Sequence, residues 1–158
     1  INKIKDNKNI KKDLKINESW SIVEDNEINA FMASSILDKW SCETTIVGNG
    51  QKAGDILKNK DFDVILMDIM MPEMSGYEAT EFIRKELKCK TPIIAITAIS
   101  LPGEREKCLN LGMNEFVTKP YKKEELVKKI ISTNKPIIIT TVDIKTFFLV
   151  FKKSILYS

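Results

Sequence analysis

The sequence contains no histidine. The chain therefore cannot build a Ser/His/Asp triad, a histidine-ligated metal site or a phosphohistidine relay of its own. If phosphate chemistry occurs here, any histidine donor must lie on another chain or on a further part of this one. Cysteine is also scarce, because Cys42, Cys89 and Cys108 stand alone without a CxxC pair. This pattern indicates reduced thiols of a cytosolic protein rather than a disulfide framework.

Long apolar runs are missing as well. No run approaches the ~20 residues that a membrane-spanning helix needs, and no signal peptide is visible. These features predict a cytoplasmic location, either of a separate protein or of the cytosolic part of a membrane-bound one.

The positive net charge of +3 belongs to the two ends of the chain. Residues 19–133 carry 15 basic and 18 acidic side chains, whereas the two ends together carry 10 and 4. The central region is therefore mildly acidic, and we expect no direct binding to nucleic acid. The change in composition predicts a basic linker or frayed helix at 1–18, one domain at 19–133, and a tail of unknown structure at 134–158.

The central region alternates apolar runs with stretches of helical periodicity. Predicted strands lie at 20–24, 43–47, 64–68, 93–97 and 115–117. Predicted helices lie between and after them, at 27–39, 53–57, 77–87, 103–111 and 124–132. In the first helix, the spacing of Ile28, Phe31, Met32, Ile36 and Leu37 gives the apolar stripe, and Asn26 is the expected N-cap. Such alternation predicts a doubly wound α/β fold, with a five-stranded parallel sheet and helices on both faces.

Polar side chains stand where the predicted strands end. Glu24 and Asp25 end the first strand and Asp68 the third, while Thr97 and Lys119 follow the fourth and fifth. Taken singly, each has an ordinary structural explanation, such as a helix-terminal acid or a surface lysine. The carboxyl ends of parallel strands meet at one edge, however, so the set is expected to share a crevice. Converging carboxylates are the ligands that Mg²⁺ prefers.

Four motifs carry a family resemblance, namely VEDNEIN, MDIMMPEMSGYEAT, ITA and GMNEFVTKP. Together they resemble a response-regulator receiver domain over residues 20–132, and they are most similar to receiver domains of hybrid sensor histidine kinases. The resemblance implies the (βα)5 flavodoxin-like receiver fold.

The resemblance also implies individual roles. Asp68 would be the phospho-acceptor, and Glu24 and Asp25 would hold Mg²⁺, or Mn²⁺ as the alternative ion, together with Asp68 and the backbone carbonyl of Met70. Lys119 would pair with the phosphoryl group, and its bond to Pro120 is expected to be cis.

Two further residues would form the switch. Thr97 would bond a phosphoryl oxygen, and Phe116 stands at the position of the switch aromatic. Phe116 lacks the tyrosine hydroxyl, so a switch there must rest on packing alone.

The implied function is phosphorelay signalling. Asp68 would take a phosphoryl group from the phosphohistidine of a histidine kinase or a histidine phosphotransfer protein. The only enzymatic steps in this chain would be Mg²⁺-dependent self-phosphorylation and autodephosphorylation at Asp68, and any kinase domains of a hybrid kinase would lie outside it. The downstream partner is open, and a homodimer through the helix-four to strand-five surface is one option.

The sequence departs from the family pattern near the acceptor. Glu24 replaces a frequent aspartate but keeps the carboxylate. Met70, two residues after Asp68, and Ile99, two residues after Thr97, have no side-chain group that could orient an attacking water. We therefore expect slow loss of the phosphoryl group.

Three alternatives stay open at this point. A phosphorylation-independent pseudo-receiver that acts as an interaction module would keep the same fold. A haloacid-dehalogenase-type phosphatase would need a second acid where Met70 stands. A flavodoxin-like nucleotide binder would need a glycine-rich phosphate loop, and none is present.

Overall fold

The computed structural model describes residues 18–39 and 42–133. These residues contain one five-stranded sheet and five helices. The strands are β1 (Ser19–Val23), β2 (Glu43–Val47), β3 (Val64–Asp68), β4 (Ile93–Thr97) and β5 (Glu115–Thr118). The helices are α1 (Glu27–Asp38), α2 (Gly50–Leu57), α3 (Gly76–Lys85), α4 (Glu104–Asn110) and α5 (Lys123–Ser132). All strand pairs are parallel and the order is β2-β1-β3-β4-β5. The predicted doubly wound α/β fold is confirmed.

The two central strands, β3 and β4, are buried along their whole length. Their runs of aliphatic residues suit this position, because helices cover both faces of a parallel sheet. Successive side chains point to opposite faces. Leu66 and Ile94 pack on the face that α1 and α5 cover, and Ile65 and Ala95 pack on the face of α2, α3 and α4.

Local signals in the sequence set several helix termini. Asn26 caps α1, since its side-chain oxygen accepts hydrogen bonds from the backbone N–H groups of Ile28 and Asn29 at 3.0 and 3.1 Å. Ser75 and Glu78 form a capping box at the start of α3, in which each side chain satisfies a backbone donor of the other residue.

The apolar stripe predicted for α1 identified the helix but only part of its buried face, because Leu37 is buried and Ile36 partly buried, whereas the other three residues are exposed. Ile28, Phe31 and Met32 are 71%, 70% and 59% exposed. The core face consists of Ala30, Ala33 and Leu37, each at most 2% exposed. Because alanine is small, this face brings the helix backbone close to the sheet, and the larger side chains point away from it.

Several predicted boundaries move by one or two residues. Strand β1 begins and ends one residue earlier than predicted, so Glu24 follows the strand instead of ending it. Helix α3 ends at Lys85 rather than near Leu87, and α4 begins at Glu104, after Gly103 in a left-handed conformation. The basic segment and the tail predicted at the two ends lie outside the described residues, apart from residue 18. Within the part of the chain that the structure describes, no helix is long and apolar enough to cross a membrane.

Candidate functional site

The carboxyl edge of the sheet gathers the polar residues predicted from the strand ends. Glu24 follows β1, Asp68 is the last residue of β3, Thr97 is the last residue of β4, and Lys119 follows β5. Strands β1 and β3 are neighbours, and Asp68 lies opposite Ile96 of β4. The sheet order therefore brings together residues that are up to 95 positions apart in sequence.

Lys119 connects the two nearly buried carboxylates of this edge. Its Nζ donates to Glu24 Oε2 at 2.6 Å and to Asp68 Oδ2 at 2.9 Å. Both acids are at most 7% exposed, and the lysine side chain is 19% exposed. Removing one partner of such a pair leaves an uncompensated charge in a poorly solvated place, which is strongly destabilising. The bond between Lys119 and Pro120 is cis, in agreement with the expectation from the resemblance.

The pKa values in the site follow from burial and from this ion pair. Burial raises the pKa of Asp68 above its ordinary value, the charge of Glu24 raises it further, and the hydrogen bond from Lys119 opposes both. Burial alone would lower the pKa of Lys119, but the hydrogen bonds to Glu24 and Asp68 outweigh it and raise that pKa. Lys119 is therefore a cation at neutral pH, and the aspartate beside it is poorly solvated.

Asp25 adds a third carboxylate, which is exposed. One oxygen from each of Glu24, Asp25 and Asp68 lies within 4.8 Å of the others. At that separation two unit charges repel by about 3 kcal/mol at an effective dielectric constant of about 20. With Lys119 present, three ionised carboxylates leave a formal charge of −2 in the site. A hard divalent cation balances that charge, and an all-oxygen donor set fits Mg²⁺.

The loop after β3 adds backbone groups to the cluster. The Met70 N–H donates to Asp68 Oδ1 at 3.2 Å, while the Met70 side chain is 59% exposed. The Met70 N–H thus contacts the Asp68 carboxylate, and the role of the Met70 carbonyl as a metal ligand stays a prediction.

The two predicted switch residues lie on adjacent strands. Thr97 is fully buried, and its Oγ1 accepts a hydrogen bond from the Ile99 N–H at 3.1 Å. Phe116 pairs with Ala95 across β4 and β5, is half-buried, and packs against the core on the α2–α4 face of the sheet. The Thr97 hydroxyl is thus fixed by a hydrogen bond within its own loop. The Phe116 ring is only partly buried in the core.

One residue of the site was missed in the sequence. Asn29, on the first turns of α1, donates from Nδ2 to Glu24 Oε1 at 3.3 Å. The backbone N–H of Asn26 donates to the same oxygen at 3.2 Å. The available signal was the spacing, because a residue two positions into a helix can reach back to the acid that precedes the helix.

Comparison with known proteins places these residues in a family. The family model for the response regulator receiver domain matches residues 21–131. The autoinducer 2 sensor kinase/phosphatase LuxQ of Vibrio vulnificus is 41% identical over 105 residues, which are 66% of this chain and 12% of that protein. Hybrid signal transduction histidine kinase G of Dictyostelium discoideum is 42% identical over 109 residues, which are 66% of this chain and 3% of that protein. The chain thus spans a small part of the curated relatives it matches.

Solved structures agree with the sequence relatives. The receiver domain of a sensor histidine kinase from Pseudomonas aeruginosa, with a magnesium ion coordinated in its active site cleft, is 36% identical with a TM-score of 0.67. The match covers 75% of this chain and 99% of that one. The chemotaxis protein CheY4 of Vibrio cholerae is 26% identical with a TM-score of 0.69, over 74% of this chain and 98% of that one.

Proposed function

The chain belongs to the response regulator receiver domain family and contains a receiver domain of a two-component phosphorelay, and we propose that Asp68 is its phospho-acceptor. The observation that carries the proposal is the bridge from Lys119 to Asp68 and Glu24. It fixes a buried carboxylate beside a permanent cation at the open edge of the sheet, where a phosphoryl group can approach. The pseudo-receiver alternative is not favoured, because the acidic cluster, the lysine and the hydroxyl are all present.

We propose that Glu24, Asp25, Asp68 and the carbonyl oxygen of Met70 hold Mg²⁺, with Mn²⁺ as a substitute. The −2 charge of the carboxylates with Lys119 and the oxygen-only donor set support this. A bound divalent cation would supply charge neutralisation for the phosphoryl oxygens. The magnesium ion in the Pseudomonas aeruginosa receiver domain supports the same assignment.

In the transfer step, a carboxylate oxygen of Asp68 attacks the phosphorus atom in line with the bond to the donor nitrogen. The new O–P bond forms as the N–P bond of the phosphohistidine breaks, and the electron pair returns to the imidazole. Lys119 stays protonated and pairs with a phosphoryl oxygen, so charge that develops on that group meets a fixed cation.

The switch follows from the hydrogen bond that Thr97 makes. The Thr97 Oγ1 accepts from the Ile99 N–H, so its own proton is available for a phosphoryl oxygen. Movement of Thr97 toward the phosphoryl group would lengthen the bond to Ile99 and free the loop before α4. Phe116 would then pack further inward into the space that is vacated. A local event of this kind can shift a domain between two states a few kcal/mol apart, and it would change the surface formed by α4 and β5.

We also propose slow loss of the phosphoryl group. Met70, two residues after Asp68, and Ile99, two residues after Thr97, have no side-chain donor or acceptor suited to a water nucleophile. The phosphorylated chain should therefore persist for minutes or longer, measured by intact-mass spectrometry after the donor is removed. A half-life of seconds would contradict this.

The wider setting is proposed from the relatives. The phosphoryl donor is a histidine kinase or a histidine phosphotransfer protein, and the chain is a part of a hybrid histidine kinase that works on the cytoplasmic side. The receiver domain is residues 19–133, with a linker at 1–18 and a tail at 134–158. Output runs through a partner protein or a homodimer at the α4–β5 surface rather than through nucleic acid.

Beryllofluoride tests the acceptor and the switch together, because it mimics a phosphoryl group on a carboxylate. With Mg²⁺ present, a bound ¹⁹F signal should appear, and the amide signals of Thr97, Ile99 and Phe116 should shift. Asp68→Asn should abolish both changes, whereas Asp55→Asn, on the exposed surface of α2, should keep them. Binding that survives Asp68→Asn would contradict the proposal.

A further inference from the structure

Glu24 is held from two sides by groups that belong to different elements. Its Oε2 accepts from Lys119 Nζ at 2.6 Å, and its Oε1 accepts from the backbone of Asn26 and from Asn29 Nδ2. Three donors therefore fix the plane of one carboxylate, which is only 7% exposed.

Such restraint matters more for a glutamate than for an aspartate. The additional methylene gives Glu24 one more rotatable bond, and ordering a long side chain costs conformational entropy. An unrestrained glutamate would populate several positions around the entrance of the site. Two of the three donors lie at the start of α1. The backbone N–H of Asn26 belongs to the N-cap, and the amide of Asn29 adds a side-chain donor that a substitution can remove.

We propose that Asn29 is a positioning residue, which orients the Glu24 carboxylate for binding of a divalent cation. This inference rests on the proposed function, because it assumes that Glu24 is one of the groups that hold Mg²⁺. Asn29 is half-buried and makes its contact through the amide nitrogen, a donor that a carboxylate accepts well. It acts through Glu24 and not on the phosphoryl group.

The direct test is Mg²⁺ titration calorimetry on the full chain without a phosphoryl donor. Asn29→Leu keeps the approximate volume and removes the donor. We expect the dissociation constant for Mg²⁺ to rise about 3- to 10-fold, the size of one lost hydrogen bond to a partly solvated charge. Ser35→Ala is the matched control, because Ser35 lies on the same helix and, among residues 18–39 and 42–133, its hydroxyl donates to the backbone oxygen of Phe31 at 2.8 Å and not to Glu24. It should bind Mg²⁺ like the wild type.

A double-mutant cycle distinguishes orientation of the Glu24 carboxylate by Asn29 from a contribution of Asn29 to the stability of α1. Glu24→Asp keeps a carboxylate but withdraws it by one methylene from Asn29. In that background, Asn29→Leu should change Mg²⁺ affinity by less than about twofold. An equal loss in both backgrounds would overturn the inference, because Asn29 would then act through α1 itself.

The rate of phosphorylation by acetyl phosphate gives a second measurement. For Asn29→Leu, the Mg²⁺ concentration at half-maximal rate should rise with the dissociation constant, while the rate at saturating Mg²⁺ stays within about twofold of the wild type. If wild-type protein binds no Mg²⁺, the proposed function fails and this inference fails with it. If the wild type binds Mg²⁺ and Asn29→Leu binds it equally well, only the inference fails.

Discussion

Gly76, the first residue of α3, lies against the backbone of Asp68, and we predict that Gly76→Ala destabilises the fold and the site together. A Cβ atom at this position would lie 2.2 Å from the backbone oxygen of Asp68 and 2.9 Å from the Cα of Ile69. Real Cβ contacts are essentially never below 3.0 Å, so the atoms must separate by at least 0.8 Å. The obstacle is backbone at the end of β3 and cannot turn aside as a flexible side chain would.

The expected loss of stability is the difference between the steric cost of the added methyl group and the gain from replacing glycine in a helix. Overpacking against a rigid neighbour costs about 3 kcal/mol, and replacing glycine by alanine in a helix returns at most about 1 kcal/mol. The free energy of unfolding should therefore fall by about 2–3 kcal/mol, equivalent to a drop in Tm of roughly 10 °C for a domain of this size. Urea denaturation measures the first quantity and thermal denaturation the second.

Gly48→Ala is the matched control for this prediction. Gly48 is exposed, and nothing lies within 4 Å of a Cβ added there. Its substitution should change the free energy of unfolding by less than about 0.5 kcal/mol, or raise it slightly by restricting the unfolded chain. If Gly76→Ala is as stable as Gly48→Ala, the close approach of α3 to Asp68 does not constrain the fold and the reasoning is refuted.

Other predictions concern the ion pair, the thiols and a half-buried arginine. Lys119→Met should lower the free energy of unfolding by about 2–4 kcal/mol in EDTA, and Mg²⁺ should recover most of that loss in urea denaturation; equal losses in both buffers would contradict this. Burial raises the pKa of Cys42 to about 12 and that of Cys108 to about 11, so iodoacetamide should label them at least about tenfold more slowly than half-buried Cys89. Uniform labelling of the native protein, mapped by peptide mass, would be evidence against it. Arg84 donates three hydrogen bonds to the loops before β4 and β5, so Arg84→Met should cost about 2–3 kcal/mol without changing Mg²⁺ affinity in calorimetry.

The positions of Asp68, Thr97 and Lys119 could be predicted because two local signals agree. A buried aliphatic run marks β3 and β4, and the first polar residue after each run, Asp68 or Thr97, marks the carboxyl end. Strand β5 is shorter and mostly half-buried, and Lys119 is the second polar residue after Val117. Parallel connections then place those ends at one edge, whatever the distance along the chain. The meeting of these residues at one edge of a parallel sheet therefore follows from patterns that are visible in sequence, whereas the strand order comes from the structure.

The buried face of α1 was less accessible to this reasoning. Helical periodicity shows that Ile28, Phe31 and Met32 share a face, but it does not show that this face is buried. The structure buries Ala30 and Ala33 instead, since close packing of the helix on the sheet favours small side chains. Hydropathy ranks the larger residues higher than alanine. The periodic pattern alone therefore does not identify the side of α1 with Ala30 and Ala33 as the one that faces the sheet.

The spacing between Glu24 and Asn29 allows their contact, but whether it forms depends on distant parts of the chain. It requires the glutamate to fold back over the start of α1 while its other oxygen reaches Lys119, 95 residues further along the chain. The rotamer of Glu24 depends on its ion pair with Lys119, and this ion pair exists only when the strands have assembled into the sheet.

Intact-mass spectrometry after incubation with acetyl phosphate and Mg²⁺ tests the central claim most directly. The account predicts one phosphoryl adduct on the wild type, and none in EDTA or on Asp68→Asn, while Asp55→Asn is modified like the wild type. An adduct that persists on Asp68→Asn, or a wild type that binds Mg²⁺ and stays unmodified, would contradict the assignment of Asp68 as the phospho-acceptor.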